Sequence, residues 1–322
     1  MLHVRRSFAA PELGFRLDSH LALAPRYRAT AARVDGDVVF DGALVPREPR
    51  TGRTYVYIVL EGDLHVRGGD AHVPPRHLAW AESRAAVFED ARAYHIGAFR
   101  ALALHVDREL LRPPPRLAVV PLDRSATAAA ARAHDALGRA GDPATSQREL
   151  LVALRRAGLD VDAALALADA APPPRSDAIG DALSRALSQT STRPALVDLA
   201  FAPLSERTAR RWLPVVARHY GFTYGGWRAL RRAWSAILAS IALTEPRATP
   251  ALVARLLGFS GAQSLCHALD RAGVLPPRGL QEAAARVRED DAALRAAARP
   301  RRGRGRSSRR AGASARSGRR TA

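Results

Sequence analysis

Near the C-terminal end of this chain, four side chains with hydrogen-bonding ends recur at helical spacing: Gln263, Ser264, His267 and Arg271. Gln263, His267 and Arg271 stand at i, i+4 and i+8, so one helix would carry them on one face, with Ser264 beside them. An amide, an imidazole and a guanidinium presented together suit hydrogen bonds to base edges. Leu265, Ala268, Leu269 and Ala272 fall on the opposite face and would point into a core. A second cluster, Arg207, Arg210 and Arg211, repeats at i, i+3, i+4. Guanidinium groups in that array suit guanine edges or phosphates. Arginine-rich chains also place such clusters on plain solvated helix faces, so the elements around them matter more than the charges.

Those elements have sequence signals. Thr249 is a good N-cap and Pro250 suits the first helical position of a short helix ending at Leu257. Gly258 can take the left-handed conformation that ends it. Ser260 is then the expected cap of a second helix over 261–272, with Gln263 as capping-box partner. Two helices joined by a tight glycine turn, the second with a polar outer face, form a helix-turn-helix; an ordinary helical hairpin would share the turn. A looser copy lies upstream. Leu196, Leu199 and Ala200 form an apolar stripe, Pro203-Leu204 interrupts the chain, and Ser205 caps a helix. In that helix Ala209, Trp212 and Leu213 should face inward. Between the copies Trp227, Leu230, Trp234, Ile237, Leu238 and Ile241 form one side of a helix roughly 21 Å long, with Arg228, Arg231 and Arg232 on or beside the other.

In these motifs the chain resembles the AraC/XylS-type family of bacterial transcription regulators. The matching residues are 196–200 (Leu-Val-Asp-Leu-Ala), 205–208 (Ser-Glu-Arg-Thr), 221–223 (Gly-Phe-Thr) and 230–232 (Leu-Arg-Arg). Residues 258–260 (Gly-Phe-Ser), 263–265 (Gln-Ser-Leu) and a closing Gly273-Val274-Leu275-Pro276 complete the set. The resemblance covers residues 176–280. It implies two helix-turn-helix units on one chain, and Ser205, Arg207, Thr208, Arg210, Arg211, Arg228, Arg231, Arg232, Ser260, Gln263, Ser264, His267 and Arg271 as the DNA-contacting set. Two departures stand out. Leu265, His267 and Leu269 replace the family's aromatic, arginine, aromatic. Ser205 to Gly221 is longer than usual and contains Pro214, which is expected to kink or end its helix.

The N-terminal third has a different rhythm. Residues 54–60 alternate as a strand, Glu61-Gly62-Asp63 turns into 64–67, and Gly68-Gly69 leads towards 71–73. Strands are also expected at 37–45, 77–80 and 99–106. Many short strands with glycine turns suggest a small antiparallel barrel or sandwich. Ahead of such a DNA-binding region, this resembles the family's cupin-like sensor. Its histidines, His65, His72, His77, His95 and His105, contain no His-x-His pair of the kind enzyme cupins use, so no metal or cofactor is expected. Tyr55, Tyr57, His65 and Trp80 are the ligand-facing candidates, although alternation does not say which face is inner. Residues 107–175 read as helical, with Asp107–Leu111 and segments near 123–139, 145–157 and 160–171 broken by Gly141-Asp142-Pro143 and Gly158.

The expected fold is therefore α+β and multidomain: a cupin-like antiparallel β-barrel (1–111), a helical segment that could pair two chains (112–175), and an all-α double helix-turn-helix (176–280). A C-terminal helix and basic tail (281–322) complete it. Net charge is +19, every one of the fifty basic side chains is arginine, and 299–322 hold ten arginines and no acid. Such a segment cannot bury a core and should be disordered; it could bind any polyanion. The single cysteine, Cys266, excludes an intramolecular disulfide framework. With no apolar run of about eighteen residues and no signal pattern, a cytoplasmic protein without membrane partners is expected. No phosphate-binding loop or Ser/His/Asp set at recognisable spacing is present, so an enzyme is not expected. The resemblance implies double-stranded DNA, RNA polymerase, a small-molecule effector at the N-terminal domain and a homodimer as partners. The alternatives are a cupin-type metalloenzyme with a helical appendage and a DNA-associated module without sequence specificity.

Overall fold

The computed structural model describes residues 2–24, 26–44, 53–66, 71–82, 93–112, 114, 116–138, 143–161, 173–188, 205–220 and 227–298. Eleven strands are present among them: β1 (Leu2–Ala10), β2 (Phe15–Ala24), β3 (Tyr27–Asp35), β4 (Val39–Asp41), β5 (Arg53–Glu61), β6 (Leu64–Val66), β7 (Ala71–Val73), β8 (His77–Glu82), β9 (Ala93–Ile96), β10 (Phe99–Asp107) and β11 (Ala118–Pro121). They form two antiparallel sheets. The larger has the order β1-β2-β3-β10-β5-β8-β11 and the smaller β4-β9-β6-β7.

The expected barrel does not close. β1 and β11 are separate edges of the large sheet, and β1 is covered by a helix instead of pairing with a further strand. Gly62 carries the chain from β5 in one sheet to β6 in the other at φ 76°, and a Cβ there would lie 2.5 Å from the Ala98 carbonyl oxygen. β6 and β7 pair antiparallel as the expected hairpin requires, with Leu64 opposite Val73 and His65 opposite His72. Three expectations need correction. The strand expected at 37–45 is only Val39–Asp41. The helix expected at 107–111 is a turn after β10. The middle segment is not wholly helical, because β11 pairs with β8 through Val119 and Ala79.

Alternation along the large sheet builds two cores. Ala31, Ile58, Leu78, Leu102 and Leu104 face α1 (Arg124–Gly138) and α2 (Pro143–Arg156), where Ala126, Ala130, Ala133 and Leu137 let the helix approach closely. The third helix expected at 160–171 lies almost wholly outside the described residues. The other side of the sheet, with Leu2, Val4, Phe8, Leu17, Val34 and Phe99, shares one continuous core with Leu64, Val66 and Val73 of the small sheet. That core extends into α3 (Ser176–Ser188), α4 (Glu206–His219), α5 (Trp227–Ala242), α6 (Pro250–Leu256), α7 (Ala262–Arg271) and the start of α8 (Pro277–Ala298). The two halves are fastened rather than tethered.

The fastening is specific. α3 crosses β1 at Gly180, where a Cβ would sit 2.7 Å from both the His3 carbonyl oxygen and Leu2 Cδ1. Ser184 Oγ accepts from the edge-strand N–H of Arg5 at 2.9 Å, which blunts that edge. Trp234 of α5 donates to the Leu187 carbonyl at 3.0 Å, and the Arg6 guanidinium lies 4.6 Å over its ring. After α5, the buried Thr244 hydroxyl accepts from Val39 N–H at 3.1 Å, and Arg247 donates to the Leu13 carbonyl at 2.9 Å. α8, expected only as a C-terminal appendage, lays Ala284 and Val287 on Val39 and Tyr94 of the small sheet. Among the described residues no helix is long and apolar enough to cross a membrane.

Candidate nucleic-acid interface

The second helical unit is the better defined. Thr249 Oγ1 accepts from Leu252 N–H at 3.2 Å and starts α6 as the sequence predicts. The helix ends on Gly258 at φ 66°, with Gly258 N–H bonded to Arg255 O at 3.1 Å and Phe259 N–H to Ala254 O at 2.8 Å. Those two bonds satisfy carbonyls that the helix end would leave open. The N-cap of α7 is then Gly261, not Ser260. Gly261 is extended (φ 167°), no side chain caps the helix, and Ser264 Oγ donates back to the Gly261 carbonyl at 3.2 Å. The capping box therefore does not form. The end of α7 repeats the glycine device: Gly273 (φ 68°) donates to Asp270 O at 2.9 Å and Val274 to Leu269 O at 3.0 Å. This is the structural content of the closing Gly273-Val274.

The faces of α7 fall as its periodicity predicts. Leu265 and Leu269 are fully buried, and Ala268 and Ala272 half-buried. Gln263, His267 and Arg271 are exposed, with Ser264 half-buried at the margin. One further residue shares the outer face and was not singled out from the sequence. Asp270 is exposed, seven residues after Gln263 and three after His267.

The first unit is described only in part, because the helix expected around 196–200, its turn at 201–204 and Gly221-Phe222-Thr223 lie outside the described residues. α4 itself starts on Ser205, whose Oγ accepts from Thr208 N–H at 3.2 Å and bonds Thr208 Oγ1 at 2.8 Å. Ala209, Leu213, Val216 and Tyr220 face the core. Trp212 is half-buried, with the Arg211 guanidinium 5.8 Å from its ring. Pro214 neither ends nor splits this helix, which continues to His219. Pro214 is exposed, so the Arg210 carbonyl that loses its N–H partner can turn to water.

Arg207, Arg210 and Arg211 are all exposed, yet they do not form one compact triad. At about 100° per residue, Arg207 and Arg211 lie opposite the buried face, while Arg210 sits well to one side. The outward line continues instead to the exposed Arg218, seven residues beyond Arg211, a repeat visible in the sequence but not used. On α5, Arg228 and Arg232 are exposed and Arg231 half-buried, while Trp227, Trp234, Leu238 and Ile241 are buried.

No family model matches the chain, and no curated protein matches it in sequence. Among solved structures the chain is similar to ToxT from Vibrio cholerae, at 10% identity over 79% of this chain and 98% of that one, with a TM-score of 0.32. It is also similar to CuxR, an AraC-like transcriptional activator, at 13% identity over 88% of this chain and 83% of that one, with a TM-score of 0.31. A third likeness, to KdgF from Halomonas sp., covers 31% of this chain and 86% of that one at 16% identity and a TM-score of 0.22.

The sandwich disperses the histidines. His72 Nε2 lies 2.9 Å from Asp63, and His77 Nδ1 lies 3.1 Å from the Pro75 carbonyl. His65 Nε2 lies 3.3 Å from Asp291 Oδ1 of α8, and burial holds its imidazole below the usual histidine range. His95 is buried between Phe40 and Phe99, with ring centroids 5.4 and 4.1 Å away, and burial pushes its pKa down to about 3. His105 accepts from Arg28 at 3.1 Å, with the Tyr55 ring 4.3 Å away. Among the described residues no three His, Cys, Asp or Glu side chains gather as metal ligands would. Tyr55 and Tyr57 point to the inner side of the large sheet, whereas Trp80 pairs with Val56 and packs on the helix-covered side. Burial raises the Tyr57 hydroxyl to about 12.

Proposed function

We propose that this chain is a sequence-specific, DNA-binding transcription regulator of the AraC type that reads two successive major grooves with two helix-turn-helix units. The observation that carries this reading is the α6–Gly258–α7 unit. A capped short helix, a left-handed glycine turn and a second helix with Leu265 and Leu269 inward present Gln263, His267 and Arg271 to solvent. The exposed Arg207, Arg211 and Arg218 of α4 support a second point of contact, with Arg228 and Arg232 between them. Ser205, Thr208, Arg210, Arg231, Ser260 and Ser264 complete the proposed contact set. The helical module 176–280 is the DNA-binding part, and 1–111 is the sensor, through which an effector would act. A second copy of the chain and RNA polymerase follow from the resemblance, polyanion binding by the tail 299–322 follows from its ten arginines, and all three remain part of the proposal. No catalytic step is assigned.

The test is selection from random duplexes by the full-length chain, followed by footprinting. Two recognition helices spaced by about 34 Å on one DNA face should protect an asymmetric site of roughly 16–20 bp. Protection of only about 6 bp would leave one unit engaged, and failure to enrich any sequence would refute sequence-specific reading.

A further inference from the structure

The outer faces of α4 and α7 differ by one carboxylate. On α4 every charged side chain of the outward line is arginine. On α7 Asp270 stands among the DNA-facing candidates, about 20° of arc from Gln263 and about 60° from His267. The neighbouring Arg271 is exposed as well. Several carboxylates elsewhere are held by bases: Asp18 by Arg16, Asp107 by Arg26, Glu149 by Arg132, Glu245 by Arg247 and Glu282 by Arg278. Others, such as Asp177 and Asp181, are exposed without one among the described residues, and so is Asp270. Asp270 differs from these in standing on the outer face of α7.

Nothing local favours an acid at this position. Asp270 lies in the last turn of α7, where the helix dipole presents its negative end, so the charge opposes the helix that carries it. Its backbone carbonyl, not its side chain, receives the capping N–H of Gly273. Against a phosphate backbone the carboxylate would be repelled. One feature of a major groove reverses that sign, an exocyclic amine. Cytosine presents its N4 amine as the only polar group on its edge, whereas adenine sets the N7 acceptor beside its N6 amine and repels a carboxylate.

We propose that Asp270 is a specificity-determining residue of α7, whose carboxylate accepts a hydrogen bond from the N4 amine of a cytosine in the major groove. This rests on the DNA-binding function proposed above. In this arrangement α7 reads bases with a face of nearly balanced charge, and α4 supplies the grip on phosphates. Asp270 also acts negatively: at any other base its unpaired charge weakens the complex.

Parallel selections from random duplexes with the full-length wild type, Asp270→Asn and Asp270→Ala test this, with thermal melts to confirm that the variants fold. The wild type should enrich a site containing one C·G step preferred by about fivefold or more over other bases at that column. Asp270→Ala should erase that column, leave the others intact, and bind random duplexes several-fold more tightly because a repelled charge is gone. Asp270→Asn should shift the column towards adenine, which pairs with an amide. An unchanged column in Asp270→Ala, or an equal loss on every sequence, overturns the proposal. A wild type that enriches nothing overturns the sequence-specific reading proposed above, and that outcome is distinct because no column exists to lose.

Discussion

Two helices of this protein, α4 and α7, carry different chemistry on their outer faces. α4 is capped by a serine hydroxyl, is interrupted by a proline it tolerates, and shows Arg207, Arg211 and Arg218 to solvent. α7 has no side-chain cap, is bounded by glycines at both ends, and shows Gln263, His267, Asp270 and Arg271. Both bury a leucine-based inner face in the same core. The difference teaches that the fold specifies only the inner faces. An outward stripe has no packing partner to satisfy, so its chemistry is free to vary, all arginine among the charges on the outward line of one helix and a mixture of donors and acceptors on the other.

The largest test of that separation is a pair of truncations on one helix. Leu269→Ala should cost about 2–5 kcal/mol in denaturant unfolding, because its site is fully enclosed. Arg271→Ala, two residues on, should stay within about 0.5 kcal/mol of wild type. Similar losses for both would mean that α7 has no free outer face.

Salt separates the helices next. If Arg207, Arg211 and Arg218 each neutralise a phosphate, their triple alanine variant should flatten the slope of log K against log salt by about 2.7. The triple variant of Gln263, His267 and Arg271 should flatten it by about 0.9 at most and lose sequence preference instead. The reverse pattern would exchange the roles of α4 and α7.

His95 sets the pH range in which these DNA-binding measurements are made on an intact fold. The His95 pKa is about 3 in the folded chain, against about 6.5 in an unfolded one, because burial disfavours the imidazolium. The unfolded chain therefore binds the extra proton between these values, and stability is full above about pH 6.5. It should fall by up to about 1.4 kcal/mol per pH unit as acid is added towards pH 3. His95→Phe should flatten this slope in denaturation midpoints measured across pH. An unaltered slope would assign it to another buried group.

The smallest test concerns how the two helices begin. Ser205→Ala should cost about 1 kcal/mol, since its hydroxyl holds the Thr208 N–H. Ser260→Ala should cost little, because α7 starts at Gly261 without it. Equal effects would show that Ser260 caps α7 after all.

The helical part of the protein was largely legible because its signals are local. A cap, a left-handed glycine and a 3.6-residue period lie within a dozen residues of one another, so Thr249, Gly258, Leu265 and Leu269 could be placed from their neighbours alone. Pro214 and Ser260 were misjudged for a related reason. Whether a proline ends a helix depends on which way the freed carbonyl faces, and which of two adjacent residues caps depends on the backbone entering from the previous helix. Arg218 and Asp270 lay on visible repeats, but a repeat of charge identifies a face only when the buried face is known.

By itself the sequence determined the turn-bounded helices, their apolar stripes, the β5 strand and the β6–β7 hairpin, all products of short-range periodicity and turn chemistry. Tertiary structure decided the rest. β1 has two arginines in mid-strand and does not read as a strand. It becomes one by pairing along its whole length with β2, where Arg6 bonds Ser19 directly opposite. Its arginines are settled by groups far away in the chain, the face of Trp234 over Arg6 and Ser184 at the Arg5 N–H. β11 is four residues long and exists through its pairing with β8. The inner and outer faces of β5 differ only by what covers them, α1 and α2 on one side and the small sheet on the other. The docking of α8 on that small sheet likewise joins residues more than two hundred positions apart, such as Arg288 and the Asp37 carbonyl. Local hydrogen bonds and periodicity can be read along one segment, whereas edge protection, face choice and domain fastening depend on partners that only folding brings within reach.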